Sequence, residues 1–136
     1  MKKFVPAIIV IAAAAAFSTS SALAAGSTVI TNCASKPVSA PAQLVLFCGD
    51  GNDTLSGMRW QRWGASGATT SATESINLCQ PNCAAGHDHD YRVRVKASDR
   101  KNSAYHRLTV TFTGKRPRGE ARVQSFNLTA HGPVIV

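Results

Sequence analysis

The clearest pattern along the chain is the alternation of apolar and polar residues in its second half. Residues 91–96 read Tyr-Arg-Val-Arg-Val-Lys, so three apolar side chains alternate with three cations. Because successive side chains of a strand point to opposite faces, this pattern predicts a half-buried strand with a basic outer face. Residues 105–113 alternate again. The inward face of this second strand is predicted to hold His106, Leu108, Val110 and Phe112.

The first half carries shorter signals. Residues 26–31 predict a short first strand, and the continuous apolar run at 43–48 predicts a buried strand that is too short for a helix. Residues 49–57 are rich in Gly, Asp and Asn and predict a turn. Residues 64–73 are small and polar and predict a surface loop. Ile76 and Leu78 indicate a short strand after it.

The last part of the chain predicts a polar connection at 97–104, a basic turn at 114–120 and a last main strand at 123–128. The apolar residues of this strand change parity between Val123 and Phe126, which predicts a bulge. No amphipathic helix of normal length and no internal repeat is found. The expected fold class is therefore all-β, a small single-domain antiparallel sandwich or barrel-like fold stabilised by two disulfides.

The first 24 residues have the composition of a secretory signal peptide. Lys2 and Lys3 precede an apolar run at 4–17, and Ala22-Leu23-Ala24 fits a cleavage site before Ala25. The apolar run is shorter than the roughly 20 residues of a membrane span, and no later stretch approaches that length. The expected mature domain is 25–136, without a transmembrane segment, and extracellular or associated with the cell wall.

The four cysteines of an exported chain predict two disulfides, for which three connectivities exist. The local pairs Cys33–Cys48 and Cys79–Cys83 are favoured. Trp60 and Trp63, three residues apart, are predicted to be core anchors, with a sugar-stacking platform as the alternative.

Charge divides the domain into two parts. Residues 25–90 hold three basic and five acidic residues, whereas residues 91–136 hold ten basic and two acidic residues, a net +8. Such a surface favours anionic partners: an acidic cell-envelope polymer, an anionic lipid surface or nucleic acid. A solvated sheet face is the alternative reading. The candidate anion-binding residues are Arg92, Arg94, Lys96, Arg107, Lys115, Arg116 and Arg118.

A second candidate site lies in residues 79–90, where two cysteines are followed by His-Asp-His-Asp. Cys79 and Cys83 with His87 and His89 are zinc-ligand types, but their spacing fits no common zinc pattern, and a disulfide is favoured. The two imidazoles alone hold Zn, Cu or Ni weakly, so weak transition-metal binding by His87 and His89 is the alternative function. No cofactor is expected otherwise.

Residues 49–57 resemble one calcium-binding nonapeptide of the RTX β-roll type. A β-roll builds each calcium site between successive repeats, and only one copy is present, so the stretch predicts a tight turn. An isolated calcium loop is the other alternative.

No nucleophile stands in a recognised catalytic frame, and nothing in the sequence indicates a paired acid and base. Glu74 and Glu120 are the only glutamates. The protein is therefore expected to be non-enzymatic.

The combination Trp60-x-x-Trp63-Gly with Cys79-x-Pro-x-Cys83-Ala resembles a group of uncharacterised small secreted proteins of actinobacteria that has no established activity. The resemblance covers about residues 44–113 and implies a secreted, disulfide-bonded domain, and it identifies no catalytic residues. Size, export and two disulfides are also similar to small secreted inhibitors of subtilisin-like proteases, although these have a longer second bridge. A protease inhibitor is the third functional alternative.

Overall fold

The computed structural model describes residues 26–136, and the predicted signal peptide lies outside them. This part of the chain forms nine strands and no helix, which confirms the all-β class. The strands are β1 (Ile30–Thr31), β2 (Pro37–Val38), β3 (Leu44–Val45), β4 (Asp53–Ser56), β5 (Ala68–Asn77), β6 (Asp88–Lys101), β7 (Ala104–Phe112), β8 (Val123–Thr129) and β9 (Gly132–Ile135).

The architecture is a nearly closed, barrel-like antiparallel sandwich. Strands β3 to β9 form one seven-stranded sheet in which neighbours in sequence are neighbours in space, and β1 and β2 form a separate two-stranded ribbon. The longest pairing joins β5 to β6 through ten residue pairs. These two strands and β7 make up the centre of the sheet.

The core is filled by the inward residues of the central strands. Val93 and Val95 of β6 alternate with exposed cations, as the pattern predicts, and Ala97 continues the buried face beyond the predicted strand. Leu108 and Val110 of β7 lie opposite Ala97 and Val95 and are also buried.

The prediction that His106 faces the core is wrong. Asp99 adopts a positive φ of 53° near the end of β6, and the alternation of burial breaks there. Tyr105 consequently turns inward in place of His106, which is exposed. The Tyr105 hydroxyl donates to the Ala65 carbonyl at 2.9 Å, and its ring meets Trp63 edge-on at 5.1 Å.

The two tryptophans pack against the hydrophobic core and against each other, with ring centroids 4.9 Å apart. Trp60 Nε1 donates to the Pro41 carbonyl, and Trp63 Nε1 donates to the Thr28 carbonyl. Both indoles therefore anchor loops to the sheet, as expected of core anchors.

Strands β4 and β5 lie wholly or partly in segments where the sequence predicts no strand. Strand β4 falls within the turn expected at 49–57, and β5 begins inside the loop expected at 64–73. The inward positions of these strands include Asp53, Thr70 and Glu74, so no apolar alternation marks them. Pairing with their neighbours holds these strands in place.

Residues 97–136 also differ from the elements that the sequence predicts there. The polar connection expected at 97–104 is a tight hairpin, in which only Asn102 and Ser103 separate β6 from β7. No bulge is needed in β8, because Val123 faces solvent and Gln124 takes the inward position ahead of Phe126. Strand β9 follows as a further strand.

Both predicted disulfides are confirmed, Cys33–Cys48 and Cys79–Cys83. The first joins the loop after β1 to the end of the β3 segment. The second closes the turn between β5 and β6.

Candidate functional site

The outer face of β6 carries a row of cations. Arg92, Arg94 and Lys96 are all exposed, while Val93 and Val95 between them are buried. Residues two apart on a strand are separated by roughly 6.4–6.8 Å, so the row extends about 13 Å. The buried valines hold the backbone of the row in place.

Each of these cations stands between two hydroxyl side chains. Directly paired residues of antiparallel strands point to the same face. Arg94 is paired with Ser71 on β5 and Thr111 on β7. The same arrangement surrounds its neighbours: Lys96 lies between Thr69 and Thr109, and Arg92 lies between Thr73 and Thr113, whose backbone N–H donates to the Arg92 carbonyl.

Arg107 extends this row on the neighbouring strand. It is exposed, and it is paired with Ser98 on one side and with Asn127 on the other. We call the four cations Arg92, Arg94, Lys96 and Arg107 with their paired Ser, Thr and Asn residues the cation ladder. None of the residues paired in it is acidic.

The cation ladder is bounded at one end by an acid. Asp90 continues the outer face of β6 and makes a short hydrogen bond with the hydroxyl of Ser75 on β5. The face therefore changes from acidic to basic along β6.

Shallow depressions follow the β5 side of the ladder. One of about 420 Å³ is lined by residues that include Thr73, Arg92 and Thr113. A second of about 260 Å³ is lined by Gln61, Thr69, Thr70, Ser71 and Arg94. Polar groups thus surround the arginines on an open surface rather than in a closed pocket.

The other predicted cations lie elsewhere. Lys115, Arg116 and Arg118 are exposed in the loop between β7 and β8 and are not part of the paired rows. The structure therefore separates the seven candidate residues into four on the sheet face and three in a loop.

His87 and His89 are exposed at the start of β6. His87 precedes the strand, and His89 is paired with Ile76 of β5. Over residues 26–136, no three His, Cys, Asp or Glu side chains are grouped so as to hold a metal ion. Metal binding by the two imidazoles stays a prediction.

A second cluster lies inside the barrel. Asp53 on β4 and Glu74 on β5 are diagonal neighbours, because Asp53 pairs with Ile76 and Glu74 pairs with Leu55. They are 3% and 0% exposed, and each carboxyl group lies close enough to influence the pKa of the other. Two ionised carboxylates buried side by side repel each other, which favours a proton on one of them.

Burial determines the acidity of this pair. Desolvation, reinforced by the negative charge of Asp53, raises the pKa of Glu74 from 4.5 to about 8. Desolvation also raises the pKa of Asp53 from 3.8 to about 6, although its hydrogen bond with Glu74 opposes the rise. Glu74 is therefore the protonated partner at neutral pH.

Two further polar residues approach the pair. Gln124 enters the interior from β8, and its Nε2 donates to Glu120 Oε2 at 3.2 Å. Asp53, Glu120 and Gln124 line a cavity of about 300 Å³ that also includes Asp50, Asn52 and Cys79. This cavity places the acids beside the disulfide-closed turn.

The amino-acid sequence alone does not predict this cluster. Asp53 lies in a Gly-, Asp- and Asn-rich stretch that predicts a turn, and Glu74 lies in a strand without apolar periodicity. The two residues are 21 positions apart, and only the β4–β5 register brings them together. No local signal in the sequence reports such a register.

Comparison with known proteins gives no relative: no family model, no curated protein and no solved structure matches the chain. Among the described residues, none belongs to a helix of the length and apolar character that crossing a membrane requires.

Proposed function

We propose that the protein is a secreted, non-enzymatic binding module of the cell envelope or extracellular space that holds a linear polyanion along the cation ladder. The observation that carries this proposal is the strand register, which places Arg92, Arg94 and Lys96 in one row with hydroxyl groups on both sides.

The charges of the ladder are available to a ligand. The single ion pair within residues 26–136 joins Lys101 to Asp99, so no ladder cation is held in an ion pair there. Arginine binds phosphate and carboxylate through two parallel hydrogen bonds, and neighbouring hydroxyls donate further ones. The ladder therefore offers charge and hydrogen-bond donors at each step.

The spacing favours a linear ligand. Cations recur at roughly 6.4–6.8 Å along β6, which suits a polymer with one anionic group per extended repeat. Because the backbone of the row is fixed by the sheet, little conformational freedom of the protein is lost on binding. A phosphodiester polymer is the class that best combines this spacing with arginine chemistry.

One coarser property supports the location outside the cell. The two disulfides fit an oxidising environment. The buried pair Asp53 and Glu74 does not argue for catalysis, because Glu74 has no exposed surface with which to touch a substrate.

The test compares two variants that lose the same charge. The ladder variant is Arg92→Gln/Arg94→Gln/Lys96→Gln, and the control is Lys115→Gln/Arg116→Gln/Arg118→Gln. Binding of a fluorescent poly(glycerol phosphate) is measured by anisotropy at fixed salt. We expect at least about a 30-fold loss for the ladder variant, since contacts to charged groups contribute 1.5–3 kcal/mol each, and less than about a threefold loss for the control.

Equal losses in the two variants would show that only net charge matters and would contradict the ladder. A second arm replaces the polymer by vesicles of anionic and of neutral phospholipid. Stronger binding to the anionic vesicles than to the polymer would assign the ladder to a membrane surface and refute the polymer proposal.

A further inference from the structure

Acidic residues gather at one place in this basic protein. Of the seven acidic residues of the chain, Asp50, Asp53 and Glu120 line the 300 Å³ cavity, and the buried Glu74 lies close enough to Asp53 and Glu120 for their charges to act on it. The only ion pair of residues 26–136 lies elsewhere, between Lys101 and Asp99. The protein thus concentrates negative charge here without pairing it with its own cations.

The cluster also leaves buried oxygen atoms without a hydrogen-bond donor from the described part of the chain. These atoms are Asp53 Oδ1, both carboxyl oxygens of Glu74, and Gln124 Oε1. An unpaired buried polar atom costs roughly 1–3 kcal/mol, so folded proteins normally satisfy each one. Even a proton shared between the two carboxyl groups would leave the amide oxygen of Gln124 without a donor.

Gln124 supplies an observation independent of the acids. It is 8% exposed and lines the same cavity as Asp53. Its Nε2 donates to Glu120, and this hydrogen bond fixes which end of the amide is left for a ligand. The free end is an oxygen, an acceptor that a cation satisfies.

We propose that Asp53, Glu74 and Gln124 form a binding site for a calcium ion at the inner end of this cavity. Calcium takes six to eight oxygen ligands from carboxylates, amide carbonyls and water. The donors here are all oxygens, from two carboxylates and one amide, which does not suit metals that prefer nitrogen or sulfur. The cavity has room for water molecules to complete the coordination.

Glu120 is a further potential ligand for the ion, but it would have to give up its hydrogen bond with Gln124 first. No three acidic, histidine or cysteine side chains within residues 26–136 already stand in coordinating positions, so its carboxylate is not part of the first set. It lines the cavity and is held by Gln124 Nε2 at 3.2 Å. Exchange of this hydrogen bond for the ion would add a third carboxyl group to the site.

The ligands come from separate parts of the barrel. Asp53 belongs to β4, Glu74 to β5 and Gln124 to β8. Although Asp53 comes from the stretch that resembles a calcium nonapeptide, its partners are remote in sequence. A bound ion would therefore connect the two sides of the interior rather than order one loop.

Isothermal titration calorimetry with CaCl₂, after treatment with EDTA and at neutral pH, tests the site. We expect one ion per chain, and a rise in Tm of more than about 5 °C at a hundredfold excess of calcium over Kd. The Asp53→Asn/Glu74→Gln variant, which keeps the side-chain volumes, is expected to lose at least 30-fold in affinity. Gln124→Met is expected to lose at least fivefold.

The matched control is Asp88→Asn/Asp90→Asn, which removes two acids from the exposed start of β6 and should bind calcium as the unaltered protein does. Circular dichroism verifies that each variant is folded. Absence of calcium binding by the unaltered protein would overturn the proposal. Undiminished binding by Asp53→Asn/Glu74→Gln would do so as well.

Discussion

Glu74 is the residue whose environment differs most from what its chemistry favours. It is a carboxyl group with 0% exposure, next to a second buried carboxyl group, in an interior lined mainly by apolar side chains. Such a group is kept neutral, because the ionised form would lose its hydration without gaining a positive partner. Protonation of Glu74 therefore favours the folded state.

Stability in the presence of EDTA is predicted to fall with rising pH because of this pair. The folded-state pKa of Glu74, about 8, lies above its ordinary value of 4.5, so its contribution is complete below pH 4.5 and is lost as the pH rises through 8. Asp53 adds the same trend between 3.8 and about 6. Urea unfolding between pH 4.5 and 8.5 should show a loss of several kcal/mol in the free energy of unfolding.

The variant Glu74→Gln provides the comparison for this pH series. Its amide resembles the protonated acid in shape and donates a hydrogen bond to Asp53 without titrating. Its stability should change much less between pH 6 and 8.5 and should exceed that of the unaltered protein at pH 8.5. Parallel pH profiles for the two proteins would contradict the assignment of the proton to this pair.

The residues that the sequence identified correctly are those with a local signal. Val93 and Val95 alternate with cations, and their burial follows from that alternation alone. Glu74 and Gln124 occupy inward positions just as these valines do, but their polarity suggests the opposite face. His106 lies an even number of residues from the buried Leu108 and Val110, so simple alternation would place it in the core. The positive φ of Asp99 changes the direction of the neighbouring strand, and His106 is exposed.

The hairpin between β6 and β7 joins two of the three central strands of the sheet. Asn102 and Ser103 have φ values of 50° and 61°, the left-handed conformation that a two-residue type I′ turn requires. Asparagine tolerates this conformation, whereas serine at the second position carries a steric cost that glycine avoids.

Replacement of Ser103 by glycine is predicted to raise the free energy of unfolding by about 0.5 kcal/mol. The Ser103 carbonyl accepts a hydrogen bond from Val29 N–H, and this backbone contact is retained in the variant. Ser103→Val, with a β-branched side chain at the same φ, should be destabilised. Urea unfolding of the three proteins measures both differences, and a less stable glycine variant would contradict the turn assignment.

The ends of a strand can be predicted from the sequence only where the outer and inner faces of that strand differ in polarity. The sequence places a strand at 91–96, whereas β6 extends over Asp88–Lys101, because its ends are polar on both faces. Strand β5 has hydroxyl groups on its outer face and Ala68, Thr70, Ala72 and Glu74 on its inner face. Such a strand owes its position to the ten pairs with β6 rather than to its own pattern.

At the scale of the molecule, the two disulfides differ in how strongly they restrict the unfolded chain. Cys33–Cys48 joins parts of the chain 15 residues apart and packs beside the turn into β9, where a Cβ on Gly132 would come within 2.7 Å of Cys48 Sγ. Cys79–Cys83 spans only four positions in the β5–β6 turn. The first bridge therefore restricts the unfolded chain more than the second.

Loss of the first bridge is predicted to cost more stability. In the loop-entropy account, Cys33→Ala/Cys48→Ala should lower the free energy of unfolding by about 3 kcal/mol and Cys79→Ala/Cys83→Ala by about 2 kcal/mol. Both variants should keep the strand spectrum in circular dichroism. A larger loss from the second pair, measured by denaturant unfolding, would contradict this order.

At the scale of the whole molecule, we propose that one face of the sheet binds a polyanion through the four cations of the cation ladder. Counterion release makes this measurable, because the slope of log K against log salt concentration follows the number of phosphates neutralised. Four contacts to a single-stranded phosphodiester predict a slope of about −3 for the unaltered protein and about −1 for Arg92→Gln/Arg94→Gln/Lys96→Gln. The slope of Lys115→Gln/Arg116→Gln/Arg118→Gln should stay near that of the unaltered protein. A flat salt dependence, or equal slopes for the two variants, would contradict the account.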